Sequence, residues 1–245
     1  VDNENWDVEF KSTDANKIVI SAQGQRVDKE VDPVEIEHEG NKVVIKQKQK
    51  VNQFFNGFTF RKINSISIAI PKKEIDKITL NNKSGDVKIS DIEVKNIVTK
   101  SESGDEMVVG LSAEKGEFIS KSGELAVKDS SVQELNINSM TGDNYITNVS
   151  NSNMNITSTS GEVLLKDMKE GKSLFVETKS GDIGVRYKGV PASLKLMAKS
   201  NSADVIVDLK GLKKGKNTEK IKVGTIGDAK NEAKILSETG VIYID

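Results

Sequence analysis

"KSGDVKIS", Lys83–Ser90, reads as a tight turn feeding a short strand, and the chain writes it seven more times. The copies are "SESGDEMVV" (101–109), "SKSGELAVK" (120–128), "SMTGDNYIT" (139–147), "STSGEVLLK" (158–166), "TKSGDIGVR" (178–186), "SNSADVIVD" (200–208) and "SETGVIYID" (237–245). The glycines Gly85, Gly104, Gly123, Gly142 and Gly161 are spaced by 19 residues, and Gly181 follows after 20. Ala203 takes the glycine position of the next unit and Gly240 that of the last. The gap between these two is close to twice the period, so one degenerate unit is expected there. The segment "KGLKKGKNTEKIKVGTIGDAKN" that fills it reads as an irregular coil or hairpin at about 210–232.

A period of this length is the mark of a repeat architecture, and its columns say which. Four residues after each glycine position stand Ile89, Val108, Val127, Ile146, Leu165, Val185, Val207 and Ile244, all aliphatic. Two after it stand Val87, Glu106, Leu125, Asn144, Val163, Ile183, Val205 and Ile242, with Glu106 and Asn144 as polar exceptions. Five before it stand Leu80, Thr99, Phe118, Ile137, Ile156, Val176, Ala198 and Ile235, and three before it a polar column runs from Asn82 through Ser101 to Ser237. This is strand alternation with one face buried, and helical periodicity is missing. A unit of two or three short strands cannot bury its apolar column alone, whereas units stacked about 4.8 Å apart can. The expectation is an all-β, single-stranded parallel β-solenoid with about 19 residues per coil, right-handed by the general crossover preference. Glycine at the corner predicts positive φ, and the serines are expected to bond the turn backbone or their own copies. A further bend is expected between units, often with an apolar residue seven after the glycine: Ile92, Leu111, Val149, Met168.

Residues 1–62 differ in texture, with β-rich runs such as "WDVEF", "NKIVIS" and "NKVVIK" and six of the eleven aromatic residues before position 61. An open first coil would leave a bare sheet edge, so this segment is expected to be an N-terminal β cap continuous with the solenoid of residues 63–245. "VNQFFNGFTF" (51–60) reads as a cap hairpin around Asn56-Gly57.

Composition excludes several function classes. Thirty-six basic and 37 acidic residues nearly cancel, which argues against a nucleic-acid partner. Cysteine is absent, so disulfides, thiol catalysis and zinc–thiolate sites are out. His38 is the only histidine and reads as an exposed strand-end residue. No apolar run is long enough to span a membrane. The chain begins at Val1, and the expectation is that a signal or anchor segment precedes it in the native protein.

The acidic column Asp86, Asp105, Glu124, Asp143, Glu162, Asp182 and Asp204 is the candidate site. Stacked carboxylates repel, so something should offset them. Lys83, Lys121 and Lys179 are candidate neighbours, and a divalent cation such as calcium would also fit, although the nine-residue repeat of calcium-binding solenoids is missing. Structural turn acids are the preferred reading. No cofactor is expected, nor a catalytic residue: no serine elbow or triad pattern occurs, and the acids repeat too evenly to single out two partners. The lysine-rich "KGLKKGKNTEK" could touch an anionic polymer but reads first as a solvated loop.

"SISIAIPKKEIDKITLNNKSGDVKI" (65–89), the recurrent Ser-Gly-Asp units and the terminal "ETGVIYID" resemble the bacterial putative-adhesin domains of unknown function, relatives of the toastrack domains. The resemblance covers most of the chain and is strongest over 63–209. It implies an all-β solenoid in a bacterial cell envelope, often beside membrane-stress regulators, and brings no catalytic residues with it. The expected function is that of a non-enzymatic envelope or extracellular protein, an adhesin or interaction platform for cell-wall glycan or another envelope protein. The alternatives are a sensor or scaffold module tied to envelope stress and, behind it, a carbohydrate-active enzyme, for β-solenoids host such enzymes too.

Overall fold

The computed structural model describes residues 1–24, 32–48, 64–72 and 75–245. Phe54, Phe55, Phe58 and Phe60, and with them the expected 51–60 hairpin, lie outside the described residues. Among those described there is no helix, and the strands form two mostly parallel sheets of 13 and 11 strands. This architecture is in keeping with a β-solenoid.

The longer-stranded sheet runs, from one edge, through Lys213–Asn217, Ile221–Thr225, Leu194–Ser200, Asn231–Ser237, Ser173–Ser180, Asn153–Ser160, Ser131–Thr141, Ser112–Ser120, Glu93–Ser101, Lys77–Asn82, Asp2–Asn3, Lys42–Gln47 and Val34–Glu39. The shorter-stranded sheet runs in the same direction through Val205–Val207, Ile242–Ile244, Ile183–Tyr187, Val163–Met168, Asn144–Thr147, Leu125–Lys128, Glu106–Val109, Val87–Ser90, Asp7–Thr13, Ser65–Pro71 and Val19–Gln23. One strand from each sheet makes a rung. In the middle of the stack consecutive rungs are consecutive in the chain, with Ile89 paired to Val108, Val108 to Val127, Val127 to Ile146 and Ile146 to Leu165.

The aliphatic columns are therefore the core. Ile89, Val108, Val127, Ile146, Leu165, Val185 and Ile244 are fully buried, each contributing about 1.5–3 kcal/mol by leaving water. Leu80, Phe118, Ile137, Ile156, Val176, Ile235 and Ala198 face them from the other sheet, all buried. Three neighbouring strands of the longer sheet, Glu93–Ser101, Ser112–Ser120 and Ser131–Thr141, also bend. Pairing skips Lys95, Glu114 and Gln133, and burial changes phase there, so that Val94 and Ile97, three apart, both point inward.

At both ends the order of rungs departs from the order of the chain. The unit of Gly240 is not the last rung. Ile244 pairs with Val185 on one side and Val207 on the other, so the C-terminal unit inserts between those of Gly181 and Ala203. The expected degenerate unit between 203 and 240 is absent from this stack. The intervening residues form an antiparallel hairpin, Lys213–Asn217 with Ile221–Thr225, which lies on the edge strand Leu194–Ser200. Glu170 pins the excursion by accepting the backbone N–H groups of Ala192 (2.6 Å) and Ser193 (3.0 Å) and the amide of Asn231 (3.0 Å).

The first residues likewise sit inside the stack. Phe10 pairs with Ile89 on one side and Ile68 on the other. Residues 3–10 are a repeat unit in which Trp6 stands at the glycine position, its carbonyl against Gly85. Gln47 and Asn3 extend the polar column. Gln47 Oε1 accepts the N–H groups of Glu4 and Asn5, both at 2.9 Å, and Asn3 Nδ2 donates to Asn82 Oδ1 at 2.6 Å. The outermost strands, Val34–Glu39 and Val19–Gln23, are antiparallel to their neighbours, as is the hairpin at the other end.

Candidate functional site

Each rung turns twice, and the two corners are built differently. At the glycine corner φ is positive, from 100° at Gly85 to 131° at Gly181. A Cβ on Gly104 would collide with the carbonyl oxygen of Gly85, and the same collision repeats up the column to Gly240 on Gly181. Glycine is needed there for closeness as well as for φ. The buried hydroxyls hold the turn as expected: Ser101 and Ser158 donate to the carbonyls two residues on (3.1 and 3.2 Å), and Thr178 donates to Ser237 Oγ at 3.1 Å.

The acidic column lies on the outer side of this corner, and its chemistry is a backbone ladder. The N–H of Asp105 donates to Asp86 Oδ1 (3.0 Å), that of Glu124 to Asp105 Oδ1 (2.8 Å), that of Glu162 to Asp143 Oδ1 (2.7 Å) and that of Val241 to Asp182 Oδ1 (2.8 Å). Asp7 begins the series on the N–H of Asp86 at 2.9 Å. These corner amides point along the stack beyond the end of the strand ladder, so a carboxylate one rung below supplies their acceptor. A charge-assisted bond of this kind contributes about 1.5–3 kcal/mol. Aspartate and glutamate differ here: Glu124 and Glu162, one methylene longer, receive no such N–H, and Asp204 lies in the edge rung. Lys83 and Lys121 do not offset the column. They pair with Glu4 and with Glu102 (3.0 Å), which lie in the lysines' own column. Among the described residues no three His, Asp or Glu side chains gather as metal ligands.

The second corner carries a column of its own. Asp91, Gly110, Asp129, Asn148 and Asp167, each six residues after its glycine, all have φ between 48° and 69°. Asp and Asn tolerate the left-handed region better than other side chains, and Asn148 Nδ2 donates to Asp129 Oδ1 at 2.7 Å. The 19-residue recurrence of Asp, Gly, Asp, Asn, Asp was the available signal. Beside it run Ser112, Ser131 and Ser150, and together they line an open trough along the stack. Its two stretches, of about 380 and 340 Å³, meet at Gly110 and Ser112.

The sequence profile of the Toastrack DUF4097 family matches residues 1–245. The chain belongs to that family. No curated protein matches it. Among solved structures it is similar to a putative cell adhesion protein of Clostridium sporogenes at 16% identity, covering 99% of this chain and 90% of that one, with a TM-score of 0.22.

Inside this Toastrack chain the two polar exceptions in the core column are both buried. Glu106 faces Thr99, the one polar residue of the opposing column, and Thr99 Oγ1 donates to Glu106 Oε2 at 3.1 Å. The other oxygen, Oε1, has no partner. Desolvation raises the Glu106 pKa to about 7, against a smaller lowering by the Thr99 bond. The carboxyl is thus held largely neutral below that pH. Asn144 spends its amide weakly on the Gly142 carbonyl at 3.4 Å. His38 is exposed on the strand Val34–Glu39, and the lysines of 213–216 stand exposed on the terminal hairpin.

Proposed function

We propose that this Toastrack domain is a non-enzymatic interaction platform of the cell envelope, and that the trough beside the second corner takes an extended glycan or wall polymer. On this reading the two sheets form a right-handed solenoid of coils of about 19 residues, whose antiparallel end strands act as caps. One observation carries the proposal. Asp129 with Ser131 and Asn148 with Ser150 set a carboxylate or amide beside a serine hydroxyl on two consecutive rungs, and Asp91, Ser112 and Asp167 continue the polar series along the trough. Such a surface suits a linear partner with hydroxyls at regular intervals, each rung adding a weak bond and the total growing with length.

Sedimentation of the domain with purified wall glycan tests the reading. Ser112→Trp fills the trough where its two stretches meet, and binding is expected to fall at least about tenfold with the fold unchanged by circular dichroism. Wall polymer bound equally by both proteins would refute the trough as the site.

A further inference from the structure

The outward face of the shorter sheet carries a stripe the repeat does not require. Met107, Ala126, Tyr145, Leu164, Gly184, Tyr243 and Ile206 are successive register partners, one per rung, on the side of the strands away from the core. Met107 is 44% exposed and Ile206 47%, so the stripe is open at both ends. Toward the N-terminal rungs it stops at Lys88 and Glu9. An outward strand column of a soluble sheet is ordinarily polar, and here seven rungs in a row are not.

What borders the stripe says what covers it. On one side stands the acidic column of Asp86, Asp105, Glu124, Asp143, Glu162 and Asp182. On the other, two residues further along each strand, the column runs Lys11, Ser90, Val109, Lys128, Thr147 and Lys166 to Arg186 and turns acidic over the last two rungs at Asp245 and Asp208, with Arg186 lying 3.8 Å from Asp245. Among the described residues none of the acids from Asp86 to Asp182 forms an ion pair, and neither does Lys128 or Lys166. Over the rungs of Ala126 to Gly184 the charges on the two flanks of the apolar strip are of opposite sign, and these are self-complementary under one symmetry only. A two-fold axis parallel to the stack exchanges the flanks, so Lys128 comes over the second copy's Glu124 and Lys166 over its Glu162. A two-fold across the stack would lay acid on acid. A uniformly anionic or cationic partner would meet repulsion on one flank, and a neutral one would leave both unanswered.

We propose that this face is where two copies of the chain pair, side by side with their stacks parallel, the acidic column of each lying on the basic column of the other. The contact is isologous and modest in size. Seven rungs at about 4.8 Å by four residue steps of about 3.3 Å give roughly 400 Å² per copy, about half of what a standard stable interface buries on each partner. The dimer is therefore weak in free solution, with a dissociation constant on the order of 0.1–1 mM, and forms where the chain is locally concentrated. The pairing leaves the trough at the second corner uncovered and does not depend on polymer binding there.

Sedimentation equilibrium of the whole chain, from about 10 μM to about 1 mM and at about 20 mM and about 500 mM salt, reads the association. The parent is expected to dimerise reversibly at the high concentrations, and less so at high salt. Lys128→Glu with Lys166→Glu puts acid on both flanks of those two rungs, and Glu124→Lys with Glu162→Lys puts base on both; neither glutamate caps a backbone N–H. Each variant alone is expected to stay monomeric, and their equimolar mixture to associate at least about tenfold more tightly than the parent. Leu164→Lys, in the middle of the stripe, is expected to abolish pairing, with thermal unfolding reporting that every variant is folded. A parent monomeric at the highest concentration and lowest salt, a mixture that stays monomeric, or a dimer indifferent to charge reversal would overturn the proposal.

Discussion

The glycine corner and the aspartate corner pose the same conformational problem and answer it with different residues. Both use positive φ on successive rungs through the middle of the stack, Gly85 to Gly181 at the first and Asp91 to Asp167 at the second. At the first, successive backbones approach so closely that a Cβ would strike the carbonyl oxygen of the rung below. At the second, the left-handed residue has room for a side chain, and Asp or Asn occupies it in four of five rungs. Even at Gly110 the nearest obstacle to a Cβ is the carboxylate of Asp91 rather than backbone. Positive φ alone does not demand glycine; positive φ with a neighbouring carbonyl does.

The sharpest way to break this comparison is to put a methyl group at each corner in turn. Gly123→Ala introduces both strain and backbone collision, and should cost at least about 3 kcal/mol, read as a fall in the urea midpoint. Asp129→Ala loses only a tolerant left-handed residue and one side-chain bond, and should cost about 1 kcal/mol. Equal losses at the two sites would mean that close approach plays no part.

Between the corners, Glu106 makes the interior sensitive to pH. Its folded pKa is raised to about 7 from an ordinary 4.5, so the folded state holds a proton that the unfolded chain has released. Stability from this group is full below about pH 4.5, declines as pH rises to about 7 and is flat above, a loss of about 3 kcal/mol in all. Glu106→Gln should remove that slope while leaving the rest of the pH profile in place, as followed by denaturant titration at several pH values. A parent protein with no decline across this window would mean that Glu106 is solvated or otherwise paired.

The acid ladder offers two smaller contrasts. Asp105→Ala deprives the N–H of Glu124 of its acceptor and should cost about 1–2 kcal/mol. Glu124→Asp should do the opposite, adding an acceptor for the N–H of Asp143 and stabilising by about 0.5–1 kcal/mol. Thermal melts of the two variants side by side would show shifts of opposite sign. A stabilising Asp105→Ala would instead mark repulsion along the column as the stronger force.

How much of this the sequence disclosed depends on how strictly each rung repeats. Ile89, Val108, Val127 and Ile146 could be read as one interior column because a strand slipped by one residue would turn its whole apolar set to water. The polar column was legible for a similar reason, its hydroxyls being the acceptors and donors that buried turns require. The ends were not. Residues 3–10 keep the strand pattern, but Trp6 stands where glycine would be sought, and the unit lacks its landmark. The position of the Gly240 unit between those of Gly181 and Ala203 leaves no trace in spacing, since any aliphatic rung can stack on any other. Asp91, Asp129 and Asn148 were passed over because polar corner residues look like ordinary turn chemistry until φ is known. The stripe from Met107 to Ile206 was visible only as an irregular column, for what matters is its flanks, and those need the register.

The insertion of the last unit is where the account is most exposed, because it requires residues far apart in sequence to share one column out of chain order. Methyl–methyl NOEs in a selectively labelled, deuterated sample measure it directly. Contacts from Ile244 to both Val185 and Val207, alongside the series Ile89–Val108–Val127–Ile146, are the expected result. A direct contact between Val185 and Val207 with Ile244 outside them, or no contact between Ile89 and Val108, would contradict it.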